Sequence, residues 1–254
     1  MRAREKRAEA LPAGLGILAF VLAFAGGAAS KFVIKPSWAE KYAVQWSDEL
    51  GTRKMDIPYG GGEANKFDLY LPADNTKGHY GLVVYLHAGG SAGHALAMLY
   101  AYRDAAEAPV PVALTFGAVG PSCFHTEDWD NYGFDRNTPE SDLAAAGLFG
   151  VMAGVEISAD EIKSGAYLEK MKPISAVDWI TPDSAPTVVA YGTHDRVQPF
   201  KASLLLRAAL EENGVDYQYF ECTHSGHGLQ NDNAVYRQWM ETVEAYLDKY
   251  MPVD

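Results

Sequence analysis

Cysteine is close to absent from this chain: Cys123 and Cys222 are the only two in 254 residues. That excludes a disulfide-dense scaffold and a cysteine-based metal site. Both follow segments read below as strands, so one bridge at a sheet edge could form, but two inert, half-buried thiols are the simpler reading. Basic residues are also scarce, 21 Lys and Arg against 33 Asp and Glu, for a formal charge of -12. An acidic body of that size repels phosphate backbones and argues against a nucleic-acid partner. No grouping has metal-ligand spacing: Glu127, Asp128, Asp130 and Asp135 cluster but lack the frame of a calcium loop, and read as a solvated acidic loop. Internal repeats are lacking, and so is any low-complexity tract beyond the N-terminal leader.

Long hydrophobic runs are lacking too, with one exception. Residues 11–30, "LPAGLGILAFVLAFAGGAAS", carry no charge and follow a basic stretch with Arg2, Arg4, Lys6 and Arg7 against Glu5 and Glu9. About 20 apolar residues can span a bilayer as a helix, whereas a cleaved signal usually has an apolar region of roughly 7–15. Length favours an anchor through residues 11–29, while Ala28, Ala29 and Ser30 would suit a signal peptidase. Either way residues 1–30 are a targeting segment, and the basic flank stays inside while the remainder is exported, to the cell surface or beyond. Residues 31–254, within a chain 48% hydrophobic and 21% charged, suffice for one globular domain with a sizeable core.

The body alternates strand and helix patterns. "RKMDIPYGGGEANKFDLYLP" alternates apolar residues on either side of Gly60, Gly61 and Gly62 and predicts a hairpin. "YGLVVYLH" is a continuous apolar run, the pattern of a strand buried on both faces; "VPVALTFGAVG" and "PTVVAYG" repeat it, and "VDYQYFEC" alternates. Helical patterns at residues 92–106, 203–213 and 234–250 separate them. The fold class is therefore α/β, a mostly parallel sheet covered by helices on both faces. Residues 124–183 break the rhythm with acidic loops and short helical patterns at 140–152 and 159–170, too long for a plain loop, and predict a small inserted cap.

Ligands bind beyond the carboxyl ends of strands in such a sheet, and three polar residues fall there. Ser91 lies in "GGSAG" after the strand at 82–87, Asp195 in "YGTHDRVQP", and His227 in "HSGHGL". A serine hydroxyl is a poor nucleophile unless an imidazole takes its proton and a carboxylate fixes that imidazole's tautomer. Serine, then aspartate, then histidine is the chain order that accompanies a nucleophile-elbow turn. A lone Gly-x-Ser-x-Gly would be weak evidence; strand context and order strengthen it.

With those residues in place, the chain resembles the α/β-hydrolase superfamily, and within it exported carboxylesterase/lipase-like enzymes related to the hormone-sensitive-lipase group. "FDLYLP", "VVYLHAGG", "GGSAGHALAMLYAY", "YGTHDRVQP" and "HSGHGL" carry the resemblance from about residue 36 to 254. It implies cofactor-free hydrolysis of small carboxylic esters, with Ser91 as nucleophile, His227 as base and Asp195 as its orienting acid. It also implies backbone oxyanion donors at Ala92, Gly89 and Gly90. His87, with Trp129, Tyr132 and Phe134, could line a substrate pocket, although aromatic residues in a cap usually form its core.

One departure from that pattern concerns the oxyanion hole. The His-x-Gly-Gly loop and the serine turn of such enzymes follow different strands; here they share Gly89 and Gly90. A parallel crossover needs a dozen or more residues, so none is hidden in this turn. The run 82–87 must then serve both roles, placed centrally beside "VALTFGAV", and one oxyanion donor is lost. Two further readings follow: a catalytically silent hydrolase-like binding module, and a serine peptidase on the same fold. Of the neighbouring histidines, His94 reads as structural, His194 flanks Asp195, and His224 lies nearer its strand end than a base should. Asp183 reads as a turn residue.

Overall fold

Residues 187–192 show most directly how this sequence dictates its fold. Every residue of "TVVAYG" is buried, so the strand they form must be covered on both faces and paired on both edges. In the computed structural model, which describes residues 37–63, 65–74, 76, 80–86, 92–125, 129 and 133–252, that is its place. Strands β1 (Gly51–Pro58), β2 (Lys66–Pro72), β3 (Thr115–Ala118), β4 (Thr187–Gly192) and β5 (Tyr217–Cys222) form two sheets, β1-β2 and β3-β4-β5. In the second sheet β4 is central and parallel to both neighbours.

Two compact units divide the chain after Gly78. In the first unit β1 and β2 make the predicted hairpin, antiparallel, with Gly51 opposite Pro72 and a register shift between Lys54 and Ile57. Gly60 takes a positive φ of 72° at the turn, a conformation glycine adopts without steric cost. Both strands are largely exposed, and an aromatic contact between Trp46 and Tyr70, rings 5.0 Å apart and edge-on, ties the preceding loop to β2.

The second unit is layered. The pleat of β4 turns Val188 and Ala190 to one face and Val189 and Tyr191 to the other. Helix α1 (Ala92–Tyr102) supplies Met98, Leu99 and Tyr102 to the Val189 face, and α5 (Phe200–Glu212) supplies Leu206 and Leu210. Helix α6 (Asn233–Tyr250) covers the Val188 face with Trp239, Val243 and Tyr246. Leu206 and Leu210 are fully buried, each worth about 1.5–3 kcal/mol relative to exposure. The predicted α/β class, helices on both faces of a parallel sheet, is borne out.

Between β3 and β4 stand α2 (Pro139–Ala153), α3 (Ala159–Ser164) and α4 (Tyr167–Met171), all within the range read as a cap. Their ends carry the expected punctuation. Thr138 and Ser158 form reciprocal caps with Ser141 and Glu161, and Gly154 and Gly165 close the helices in the left-handed region. These helices have a core of their own, in which Phe149 stacks on Tyr167 and meets Trp129 and Phe134 edge-on.

The run at 82–87 is the main correction. Gly81 to Leu86 form no strand, and Leu82, Val83, Val84, Tyr85 and Leu86 are exposed, Tyr85 to 79%. The reason lies at the edge of β3. Thr115 N–H bonds Pro186 and Val119 N–H bonds Ala190, so the alternating peptide groups of Phe116 and Ala118 point to the opposite edge. There the Ala118 carbonyl meets His94 Nδ1 at 3.1 Å. The first turn of α1 thus engages one carbonyl on the edge of β3 beside which the run was expected to pair. Residues 1–30, read above as a targeting segment, lie outside the described residues; among the described residues, no helix is long and apolar enough to cross a membrane.

Candidate active site

Two loops leave the carboxyl ends of β4 and β5 side by side, and their backbones are joined directly. Thr193 N–H bonds the Cys222 carbonyl at 3.1 Å, and His194 N–H bonds the Ser225 carbonyl at 3.0 Å. Gly192, the last residue of β4, permits the approach: a Cβ there would lie 2.3 Å from the Gly226 oxygen and 2.5 Å from that of Ser225. No side chain fits at that distance. The glycine that ends "VVAYG" is thus what lets the loop carrying Asp195 close on the loop carrying His227.

Asp195 is 4% exposed, and both of its oxygens are engaged. Oδ1 accepts the N–H groups of Val197 at 2.8 Å and Gln198 at 2.9 Å. Oδ2 lies 2.9 Å from His227 Nδ1. A buried carboxylate needs such partners, because an unpaired one would be strongly disfavoured away from water. The consequence for His227 is chemical. A hydrogen bond from Nδ1 to this carboxylate selects the tautomer in which Nε2 is the unprotonated nitrogen, and the ring is one third exposed. These residues come together 32 positions apart in sequence because β4 and β5 are adjacent and parallel.

Ser91, His87, Gly89, Gly90 and Tyr132 lie outside the described residues, so the expected approach of Ser91 to His227 does too. Ala92 is the first residue of α1, and a helix's first N–H groups lack intrahelical acceptors, the state an oxyanion donor requires. Trp129 is 6% exposed and Phe134 packs against the same aromatic cluster. Trp129 stacks on Phe124 and meets Phe149 edge-on.

His94, three residues beyond Ser91, has a structural place. Its Nδ1 lies 3.1 Å from both the Ala118 carbonyl and the Gly120 N–H, and Nε2 lies 3.1 Å from Met98 Sδ. Burial drives its pKa down to about 4, against the opposing hydrogen bond to Ala118, so the ring is neutral at physiological pH. A Cβ on Gly120 would fall 2.1 Å from that of His94. The glycines of "FGAVG" therefore belong to the docking of α1, a role that sequence pattern alone did not reveal. His224, by contrast, is exposed and turned to Asp232 rather than Asp195. Cys123 and Cys222 are buried free thiols, and burial pushes Cys222 up to about 11. Among the described residues no group of three or more His, Cys, Asp or Glu side chains could hold a metal ion.

Comparison with known proteins gives this geometry a context. Residues 152–253 match the family described as the Prolyl oligopeptidase family, a span that contains both Asp195 and His227; over it the expected α/β-hydrolase resemblance is borne out. No curated protein sequence matches the chain. Among solved structures, a thermophilic esterase from the Planctomycetes species Thermogutta terrifontis is similar, with 18% identity and a TM-score of 0.43 over 65% of this chain and 54% of that one. An acetyl ester-xyloside bifunctional hydrolase from Caldicellulosiruptor lactoaceticus gives 16% and 0.41 over 65% and 56%. A truncated carbohydrate esterase from gut microbiota gives 12% and 0.46 over 81% and 99%. The chain spans just over half the length of the first two.

Proposed function

We propose that this chain is an exported serine hydrolase that cleaves small carboxylic esters through an acyl-enzyme. The observation that carries the reading is the Asp195–His227 pair: a buried carboxylate, anchored by two backbone N–H groups, holds one imidazole nitrogen. In that reading Ser91 Oγ attacks the ester carbonyl while His227 Nε2 takes its proton, and the Ala92 N–H donates to the resulting oxyanion. Collapse expels the alcohol, which leaves with the proton from His227. Water then attacks the acyl-serine, again giving its proton to His227, and the acid departs as Ser91 regains its own.

The shared glycines set the expected efficiency. Because the two sequence motifs share Gly89 and Gly90, this reading has no separate loop to give a second oxyanion donor, and losing one costs on the order of 10²–10³ in rate. The enzyme is therefore a slow esterase. The matched family description supports peptide bonds as the alternative substrate. The strand-free run at 82–86 supports a silent binding module instead.

Hydrolysis of short-chain p-nitrophenyl esters and of aminoacyl anilides, measured for the wild type and Ser91→Ala, separates the three. Ester turnover that vanishes in the variant supports the proposal. Turnover of anilides alone favours the peptidase, and equal rates for both proteins remove Ser91 from the chemistry.

A further inference from the structure

The loop that presents His227 is closed at its base by a residue with no part in the chemistry described above. Asp232 stands at the N-cap of α6, yet its side chain makes no bond to that helix's first turn. An aspartate at this position ordinarily caps its own helix. Here the carboxylate turns back over the loop instead. Oδ2 accepts the Ser225 hydroxyl at 2.6 Å and the His224 N–H at 2.9 Å, and Oδ1 lies 3.0 Å from His224 Nδ1. The ring of bonds continues: Asn231 N–H donates to Ser225 Oγ at 3.0 Å, and Asn231 Nδ2 to the His224 carbonyl at 2.9 Å. Asp232 is 8% exposed and Ser225 fully buried, so the bond between them, at the base of the loop, is shielded from competing water. His227 lies between the two ends thus joined. Ser225 is in turn the residue whose carbonyl receives His194 N–H from the Asp195 loop.

We propose that Asp232 is a positioning residue for His227: it forgoes capping α6 in order to fix the base of the loop, and through Ser225 it sets the distance between His227 and Asp195. The inference rests on the proposed hydrolase reading for its consequence in rate, but not for its consequence in loop order.

Two substitutions in the full chain separate this role from a helix cap. Asp232→Ser supplies a competent cap with a side chain too short to span to His224 and Ser225. Asp232→Asn keeps the reach: its oxygen can accept from Ser225 and His224 N–H, while its amide donates to the other tautomer of the exposed His224 ring. With p-nitrophenyl acetate, kcat falls about ten- to a hundredfold in Asp232→Ser with KM changed less than about threefold, the cost of a misplaced base. In Asp232→Asn most of kcat returns. Amide hydrogen exchange at Leu229, whose N–H bonds the Gly226 carbonyl within the loop, accelerates in the serine variant and stays near wild type in the asparagine variant.

Wild-type kcat together with wild-type exchange in Asp232→Ser overturns the proposal, as does an equal loss in both variants that tracks their melting temperatures. If the wild type turns over no ester, the hydrolase reading fails by itself, and Leu229 exchange still decides the positioning role: acceleration confined to the serine variant sustains it, and unchanged exchange refutes it.

Discussion

Replacing Asp195 with asparagine alters one atom and should stop the proposed chemistry. The carboxylate meets three partners, Val197 N–H and Gln198 N–H on Oδ1 and His227 Nδ1 on Oδ2. An amide has only one accepting atom. Turning its NH₂ toward the two backbone donors would orphan both of them in a buried site, at about 1–3 kcal/mol each. Facing the NH₂ toward His227 costs far less, because the imidazole can shift its proton. The substituted amide therefore donates to Nδ1, Nε2 acquires the hydrogen, and no basic nitrogen remains for Ser91. The wrong tautomer lowers kcat by roughly 10⁴, a rise of about 5 kcal/mol in the barrier. Volume and the two backbone bonds are kept, so the melting temperature shifts little. The assay is initial-rate hydrolysis of p-nitrophenyl acetate alongside thermal melting by circular dichroism. A folded Asp195→Asn protein that keeps more than about a tenth of wild-type kcat would refute the tautomer argument.

Gly192→Ala forces a Cβ within 2.3 Å of the Gly226 oxygen; urea unfolding should show a loss of about 1–3 kcal/mol, and ester turnover should fall with it as the loops part. Stability should also drop on mild acidification through His94. Its folded pKa, about 4, lies below the ordinary 6.5 because burial disfavours the charged ring, so the contribution is complete above pH 6.5 and drains as pH falls toward 4; melts at neutral pH and near pH 5 should differ less in His94→Gln than in wild type. At the far end of α6, hydrogen bonds from Lys249, Tyr246 and Tyr250 lower Asp216 to about 2 from 3.8. That stabilisation is present above pH 3.8 and is lost as pH falls toward 2, so Asp216→Asn should flatten this acid limb while costing roughly 0.5–1 kcal/mol at neutral pH, a figure held down by solvent screening at a carboxylate 39% exposed.

The C-terminal half of the fold was legible because its signals are local. "PTVVAYG" and "VDYQYFEC" announce strands through apolar continuity and alternation, and they place Asp195 and His227 just beyond adjacent strand ends. Two backbone strands in register then do the rest. Helix α1 was equally readable, from 92 to 102 of the predicted 92–106. Residues 82–86 were misread because apolar continuity reports a preference for burial, not the presence of a partner edge. On the edge of β3 where this run was expected to pair, the Ala118 carbonyl instead meets His94, a contact no periodicity encodes. Asp232 was missed for a related reason. Its sequence position is that of a helix cap, and only the folded loop shows its side chain turned the other way. Trp129 and Phe134 have the same composition signature whether they line a cleft or fill a core, which is why sequence left both readings open.

The central claim, that Asp195 and His227 serve an activated serine, is tested most directly by a fluorophosphonate probe followed by peptide mapping, since phosphonylation requires a hydroxyl with a working base beside it. The account predicts stoichiometric modification of Ser91, abolished by Ser91→Ala and strongly slowed by His227→Ala. A folded wild-type protein left unmodified, or labelled at the same rate without His227, would contradict it.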